Sequence, residues 1–477
     1  MFTLNDILQG NQDIVHLQSS APVNHEQIFP EAQHDNRMVG PGDLFVAIRG
    51  AHTDGHRFIA NAARAGAGAA LCMEPSPDVP PNFLQIVVPD SVQALDATAC
   101  VRVCRQQHTT LIGITGSNGK TSAKEAAAAV LSRRAPTLKT YASYNTEIGY
   151  PITLLRLEEQ HRYAVLEMGA QWVGELRWLC ETIATPDWSL ITNVGAAHLG
   201  YFGSQERVAE AKSELVQVLS AQGIAILNYD DENVRAMSAK TRARVLFYGL
   251  NEDAAVRASE IGGDTLRGRR FTLSYQGQRA HVQLHLPGEH GVVIALAAAA
   301  VGCAAEMSLD EIIPALESLV PAKGRGEIKP GPNGSTLIDD TYNANRQSIL
   351  AITAAIRGAP IAPGAIRWAV LGDILELGQY APDEHRQSGA ALVGTFDYLI
   401  AVGDEARYYV EGAIQAGMPK ANISYFAADI ENDQAMNVAK QEATALLNEK
   451  VKENDLVLIK GSRGIKMETM LGLLELH

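Results

Sequence analysis

One stretch, Gly113-Ile-Thr-Gly-Ser-Asn-Gly-Lys-Thr-Ser122, limits what this chain can fold into more than any other. It is laid out as a phosphate-binding loop between a strand and a helix. Leu111 and Ile112 end an apolar run that reads as a short buried strand, and the alanine-rich segment from Ser122 to Arg133 favours helix. Gly116 and Gly119 let backbone N–H groups approach phosphate oxygens with no Cβ in the way. Lys120 supplies a point charge for the terminal phosphates, and the Thr121 hydroxyl is placed to hold Mg²⁺. The phosphates would rest at a helix N-terminus. The common spacing asks for glycine where this chain has Ile114, so a plain glycine turn ahead of a helix is the structural alternative. The strand–loop–helix context favours the phosphate loop.

The rest of the chain must accommodate that unit. Its 477 residues exceed one ordinary core and point to roughly three domains. A composition 46% hydrophobic and 20% charged is that of a soluble globular protein. A formal net charge of −14 argues against broad contact with nucleic acid or an anionic membrane. Anionic ligands would then depend on local loops, single basic residues and Mg²⁺. Met1 to Gly10 has neither a basic start nor a long apolar core, so no signal peptide is expected. The longest apolar run, Val292 to Ala305, is too short to span a bilayer and reads as a buried helix. The five cysteines (Cys72, Cys100, Cys104, Cys180 and Cys303) form no paired framework; buried, reduced thiols in a cytoplasmic protein are expected.

The predicted organisation is α/β throughout. Residues 1–107 read as a small α/β unit, with a strand at Asp43 to Ile48 and an alanine-rich helix from Phe58 to Ala70. Residues 108–318 carry the phosphate loop and strand-like runs at Tyr163 to Met168, Ser189 to Asn193 and Gly223 to Asn228; the helical stretches between the first of these favour a mostly parallel sheet. Alternating runs at Arg270 to Tyr275 and His281 to Leu286 suggest an antiparallel insertion or edge. Val320 to Gly326 reads as a linker, and residues 319–477 open a second α/β series, with strands at Ser335 to Asp339, Arg367 to Leu371, Tyr398 to Val402 and Leu456 to Ile459.

Four side chains downstream of the loop are candidates to complete an ATP site. Glu167 ends a buried strand, the edge where open α/β sheets place ligands, and would reach a phosphate-bound Mg²⁺; a helix-capping carboxylate is the alternative. His198 follows the next strand, although a lone loop histidine is usually a surface residue. Nothing in the local pattern of Lys212 separates it from a solvated helix charge. Arg325, flanked by glycines between two domains, either clamps a γ-phosphate or is a generic linker charge.

Taken in order, Thr115 to Ser122, Asn145-Thr-Glu-Ile-Gly149, Glu167-Met-Gly169, the His198 segment, Ala211-Lys-Ser-Glu214 and Lys460-Gly-Ser-Arg463 resemble the Mur ligase family of ATP-dependent amide-bond ligases. The resemblance spans nearly the whole chain. It implies a UDP-substrate domain, a central P-loop ATPase and a C-terminal Rossmann-like domain. Asp339-Asp-Thr-Tyr-Asn-Ala-Asn345, Gly372 to Gly378 with His385, and Gly42 to Ile48 with Asp54-Gly-His56 are similar to the subgroup that uses D-alanyl-D-alanine and UDP-N-acetylmuramoyl-tripeptide. The resemblance therefore implies both compounds as substrates and ATP and Mg²⁺ as cofactors; a monomer with no nucleic-acid partner and no membrane span is expected.

It also implies roles. ATP would be held by Thr115, Gly116, Ser117, Asn118, Gly119, Lys120, Thr121, Ser122, His290, Arg325 and Asp340. Substrates would meet Asp35, Asn36, Arg37, Asn145, Thr146, Tyr342, Asn343 and Asn345. Metal ligands would be Thr121, Glu167, His198 and a Lys212 carbamylated by CO₂; Lys120, Glu167, His198, Lys212 and Arg325 would act in catalysis. Three departures stand out. The family's His-Asn-x-x-Asn near the adenine pocket is here His290-Gly-Val-Val-Ile294, its Asp-Ser-Arg is Asp35-Asn-Arg37, and the subgroup's proline after the second asparagine of the signature is Arg346. The first change predicts weaker ATP binding, restored by asparagine at 291 and 294. Other readings are a different Mur-type or folate-glutamate ligase, a motor-type P-loop ATPase, and a weakly active relative that binds the nucleotide-sugar.

Overall fold

The computed structural model describes residues 1–475 apart from 13–14, 51–52, 142–143 and 196–198, with the side chains of 199 and 201 and residues 476–477 also outside the described set. Three larger sheets of mixed or mostly parallel strands organise the described residues, beside a two-stranded antiparallel pair of Phe2–Thr3 with Ile28–Phe29. The first has the order His16–Gln18, Leu84–Val87, Ala69–Cys72, Leu44–Val46, Ala32–Gln33, and only its first pair is antiparallel.

The second sheet carries the phosphate loop. Its order is Gln278–Leu284, Gly268–Tyr275, Val256–Asp264, Arg244–Gly249, Ile224–Asn228, Trp188–Ile191, Thr110–Thr115, Tyr163–Glu167, Thr137–Lys139. The strands from Thr137–Lys139 across to Val256–Asp264 pair in parallel, and the last two join antiparallel as the expected edge. Thr110–Thr115 lies centrally, and its flanking strands come from opposite winding directions. Such a switch point leaves a crevice at the C-terminal strand ends. Helices on both faces bury the sheet, which explains why its central strands read as continuous apolar runs. On one face Lys120–Ser132 packs against Gly288–Ala304 through small residues; a Cβ at Gly302 would lie 2.8 Å from Val130 Cγ1.

The third sheet has the order Glu327–Pro330, Thr336–Asp340, Leu456–Lys460, Arg367–Gly372, Tyr398–Val402, Ile423–Phe426, parallel except for its first pair. The C-terminal ends of two of its inner strands, at Asp340 and Lys460, line a cleft shared with the phosphate loop of the second sheet.

Two expectations need correction. The Phe58 to Ala70 helix is shorter: Gly55–Phe58 is 3-10, the α-helix runs Ile59–Ala65, and Gly66 ends it with φ +101. Ala69 and Ala70 belong instead to a buried strand, where small residues let it sit beneath helices. Alanine content alone does not separate the two states. The cysteines are unpaired, but only Cys72, Cys180 and Cys303 are buried; Cys104 is exposed and Cys100 half-buried. Among the described residues no helix is long and apolar enough to cross a membrane.

Candidate active site

The cleft between the second and third sheets has a volume of about 650 Å³. Its floor is the phosphate loop. Gly116 is required there by close approach, since a Cβ would fall 1.9 Å from Thr192 Oγ1. The loop is pinned by the neighbouring strand end: Ser117 N–H donates to Asn193 O at 2.9 Å, and Gly195 N–H donates to Ser117 Oγ at 2.8 Å. Lys120 folds over the loop, its Nζ donating to Gly116 O at 2.8 Å and Ser117 O at 3.3 Å. Burial lowers its ammonium pKa and Arg325 adds to that, opposed by Glu167.

The expected metal-binding pair is assembled. Thr121 Oγ1 donates to Glu167 Oε1 at 3.1 Å, and Asn145 Nδ2 donates to the same oxygen at 2.8 Å. Glu167 Oε2 is buried with no hydrogen-bond partner, 3.9 Å from Lys124 Nζ. A carboxylate oxygen left over beside a threonine hydroxyl and a phosphate loop is the donor set a hard divalent cation takes. Lys124 and Thr140 escaped sequence reading. Thr140 Oγ1 accepts from Glu167 N–H at 2.9 Å, and Thr140 O accepts from Lys124 Nζ at 2.8 Å, so together they fix the carboxylate. Lys124 sits in an alanine-rich helix, and nothing local marks it as buried.

Lys212, indistinguishable in sequence from a surface lysine, is 2% exposed and lines the cleft. Its pKa is pushed down to about 7 by burial and by Lys120, against Glu175. His198 lies outside the described residues. No group of three or more His, Cys, Asp or Glu placed to hold a metal occurs among the described residues.

The third sheet's contribution meets the loop directly. Arg325 Nη2 donates to Thr121 Oγ1 at 3.0 Å, and its guanidinium stacks 4.0 Å from the Tyr342 ring centre. Arg463 lies over the same ring at 5.4 Å. Lys460 Nζ donates to Asp340 Oδ2 at 2.7 Å and Asn343 O at 2.8 Å. Burial raises the Asp340 pKa, opposed by Lys460. Asn345 caps the helix Arg346–Arg357 and its Nδ2 also donates to Asn118 Oδ1. Arg346, where the resembled signature has proline, pairs with Glu384 at 3.0 Å. Ser122 and Thr146 line the cleft; Thr115 is buried at the strand end.

Asp35, Asn36 and Arg37 are not brought into this cleft. Arg37 is exposed and forms an ion pair with Asp35 at 2.6 Å. Their link to the cleft is indirect: the adjoining His34 ring meets Tyr144 edge-on at 5.6 Å, and Asn145 follows.

His290 sits beside the loop, 3.2 Å from a Cβ built at Gly119, and burial lowers its pKa. Its neighbours alter the expectation for restored asparagines. A Cβ at Gly291 would lie 2.8 Å from Leu286 Cβ and 3.1 Å from the Leu286 carbonyl carbon. Gly291→Asn is therefore expected to destabilise by about 1–3 kcal/mol through overpacking, read as a lower Tm, rather than to strengthen ATP binding. Ile294 lines the cleft without that constraint, so Ile294→Asn is the single change to test for tighter ATP binding. A Gly291→Asn variant with unchanged Tm would contradict this packing.

Residues 32–107 match the Mur ligase family, catalytic domain; residues 114–302 match the Mur ligase middle domain; residues 324–463 match the Mur ligase, glutamate ligase domain. The chain belongs to the Mur ligase family. It is 36% identical over 468 residues to a UDP-N-acetylmuramoyl-tripeptide–D-alanyl-D-alanine ligase of Mycobacterium tuberculosis, covering 92% of this chain and 90% of the relative. It is similar to the crystal structure of MurF from Acinetobacter baumannii, with TM-score 0.83, 31% identity and coverage of 99% and 98%. MurF ligase from Thermotoga maritima in complex with ADP matches with TM-score 0.76, 27% identity and coverage of 93% and 96%.

Proposed function

We propose that this chain is an ATP-dependent carboxylate–amine ligase that joins D-alanyl-D-alanine to UDP-N-acetylmuramoyl-tripeptide in peptidoglycan precursor synthesis. The observation that carries the reading is the seam at the phosphate loop, where Arg325 reaches Thr121 and Asn345 reaches Asn118 from the third sheet. An acyl-transfer ligase needs a phosphoryl donor and an amine brought together from two sides, and this seam provides both sides. The full-length likeness to D-alanyl-D-alanine ligases supports the choice of substrates.

A carboxylate resists amines because its leaving group would be oxide. Transfer of the γ-phosphoryl of ATP to the tripeptide carboxylate gives an acyl phosphate and ADP. The dipeptide amine then forms the amide, releasing phosphate and a proton. Phosphoryl transfer demands alignment and charge neutralisation. The loop amides from Gly116 to Thr121 cradle phosphates, and Lys120 and Arg325 balance the charge on the transferring group. Thr121 and Glu167 would hold one Mg²⁺, and His198 with a carbamylated Lys212 a second; such ions neutralise phosphate and carboxylate oxygens. Asp340 and His290, which line the cleft, would bound the nucleotide. Asp35, Asn36 and Arg37 would serve the UDP portion at a distance from the chemistry.

The domains proposed are 1–107, 108–318 and 319–477, each built around one of the sheets, and the enzyme is proposed to work as a cytoplasmic monomer. An acceptor panel tests the reading. D-alanyl-D-alanine should support amide formation, while single amino acids and folate with glutamate should not; efficient use of a single amino acid would overturn it. The signature loop should favour the acceptor. Asn343 is exposed in the cleft, with its carbonyl held by Lys460. Asn343→Ala is expected to raise KM for D-alanyl-D-alanine by roughly three- to tenfold, the effect of one lost hydrogen bond. KM for the UDP-substrate should stay unchanged; an effect confined to that substrate would contradict the placement.

A further inference from the structure

Asn118 is held from two directions. Its backbone is clamped by its own sheet: Asn193 Oδ1 accepts from its N–H at 2.9 Å, while Asn193 Nδ2 and the Thr192 hydroxyl donate to its carbonyl at 3.0 and 2.6 Å. Its side chain turns the other way, toward the helix Arg346–Arg357. There its Nδ2 donates to Gln347 Oε1 at 2.7 Å, and its Oδ1 accepts from Asn345.

Gln347 reaches this position because residue 195 is glycine. A Cβ built at Gly195 would lie 1.9 Å from Gln347 Oε1 and 2.4 Å from its Cδ. Gly195 is in turn bonded to the phosphate loop through Ser117. One exposed glutamine of the third sheet's unit thus enters between the phosphate loop and the segment leading to His198. Other bonds cross the same seam without it: Tyr380 OH donates to Gly203 O at 2.9 Å, and Thr265 Oγ1 donates to Ala355 O at 2.6 Å. Those bonds hold the units together. Gln347, with Arg325 and Asn345, instead joins them at the phosphate loop itself, where a small displacement matters most.

We propose that Gln347 is a positioning residue for amide formation: seated on Gly195 and bonded to Asn118, it aligns the acceptor-bearing unit with the phosphate loop, so that the acyl phosphate meets amine rather than water. This rests on the ligase reading above. Gln347 acts through Asn118 and not on the reacting atoms. Without it, acyl phosphate still forms, because Lys120, Thr121 and Glu167 are untouched, but the acceptor is misaligned. Water then takes part of the intermediate, giving the free tripeptide carboxylate and phosphate in place of amide and phosphate.

The test compares full-length wild type with Gln347→Ala in the presence of ATP, Mg²⁺, UDP-N-acetylmuramoyl-tripeptide and D-alanyl-D-alanine, measuring amide product and phosphate together. Wild type should give one amide per phosphate. Gln347→Ala should keep its rate of acyl-phosphate formation, trapped by borohydride reduction, while amide per phosphate falls roughly three- to tenfold. A merely structural role would lower both yields together. A ratio of one retained in Gln347→Ala, or an equal fall in acyl phosphate and amide, overturns the proposal. A wild type that makes no amide overturns the ligase reading and the proposal with it.

Discussion

Lys120→Ala should remove acyl-phosphate formation almost completely, by about 10²–10³-fold or more, while the UDP-substrate still binds. The loop backbone would survive the change, since Gly116 and Ser117 are pinned by Thr192, Asn193 and Gly195 rather than by the lysine. What disappears is the ammonium that Lys120 folds over the loop, where transferring phosphoryl charge must be balanced. Loss of a single preorganised electrostatic contact of this kind costs about 10²–10³-fold in kcat. Asp35, Asn36 and Arg37 lie away from the cleft, so calorimetric titration with UDP-N-acetylmuramoyl-tripeptide should give a Kd near that of the wild type. ATP turnover within a few-fold of wild type would remove Lys120 from the proposed chemistry.

Lys212→Arg should be nearly as damaging, by on the order of 10²-fold. The side chain is 2% exposed and lines the cleft. Burying an ammonium beside another cation is costly, and its pKa accordingly falls to about 7, with burial the main cause, Lys120 the second and Glu175 opposing. A neutral amine adds CO₂ to give a carbamate and a proton, and under the proposed mechanism this would turn a buried cation into an oxygen ligand. The sign follows for the proposed carbamate: above about pH 7 the amine is free to react, and below it the ammonium dominates and a carbamate would be lost. Activity should fall in CO₂-depleted buffer and recover with bicarbonate. Lys212→Arg stays charged and cannot form the adduct. A small added carboxylate is expected to restore part of the activity of Lys212→Ala by filling the vacated space. Most activity retained in Lys212→Arg would show the carbamate to be unnecessary.

Much of the fold could be read locally. The phosphate loop, the parallel order around it and the antiparallel edge are all written in short segments, where period and turn residues suffice. Tyr398–Val402 is a strand in sequence and structure alike. The Phe58 to Ala70 helix failed because one glycine, not the alanines, decides where helix gives way to strand. Thr121 and Glu167 meet because strand ends gather at a switch point, a rule that works without coordinates. Burial was harder to read. Lys124 and Lys212 look like solvated helix charges, and only packing from distant segments encloses them. The obstacle to a side chain at Gly291 is likewise set by how Leu286 folds back. Gln347 had no local signal, because its significance depends on a glycine and a loop residue brought to it by the docking of two sheets.

The most direct measurement of the central claim is the stoichiometry of phosphate release and amide formation with each substrate omitted in turn. With ATP, Mg²⁺, UDP-N-acetylmuramoyl-tripeptide and D-alanyl-D-alanine together, one phosphate should appear for each UDP-N-acetylmuramoyl-pentapeptide identified by mass spectrometry, and steady release should fall to background when either the tripeptide or the dipeptide is left out. Phosphate release indifferent to the dipeptide, with no pentapeptide formed, would contradict the account.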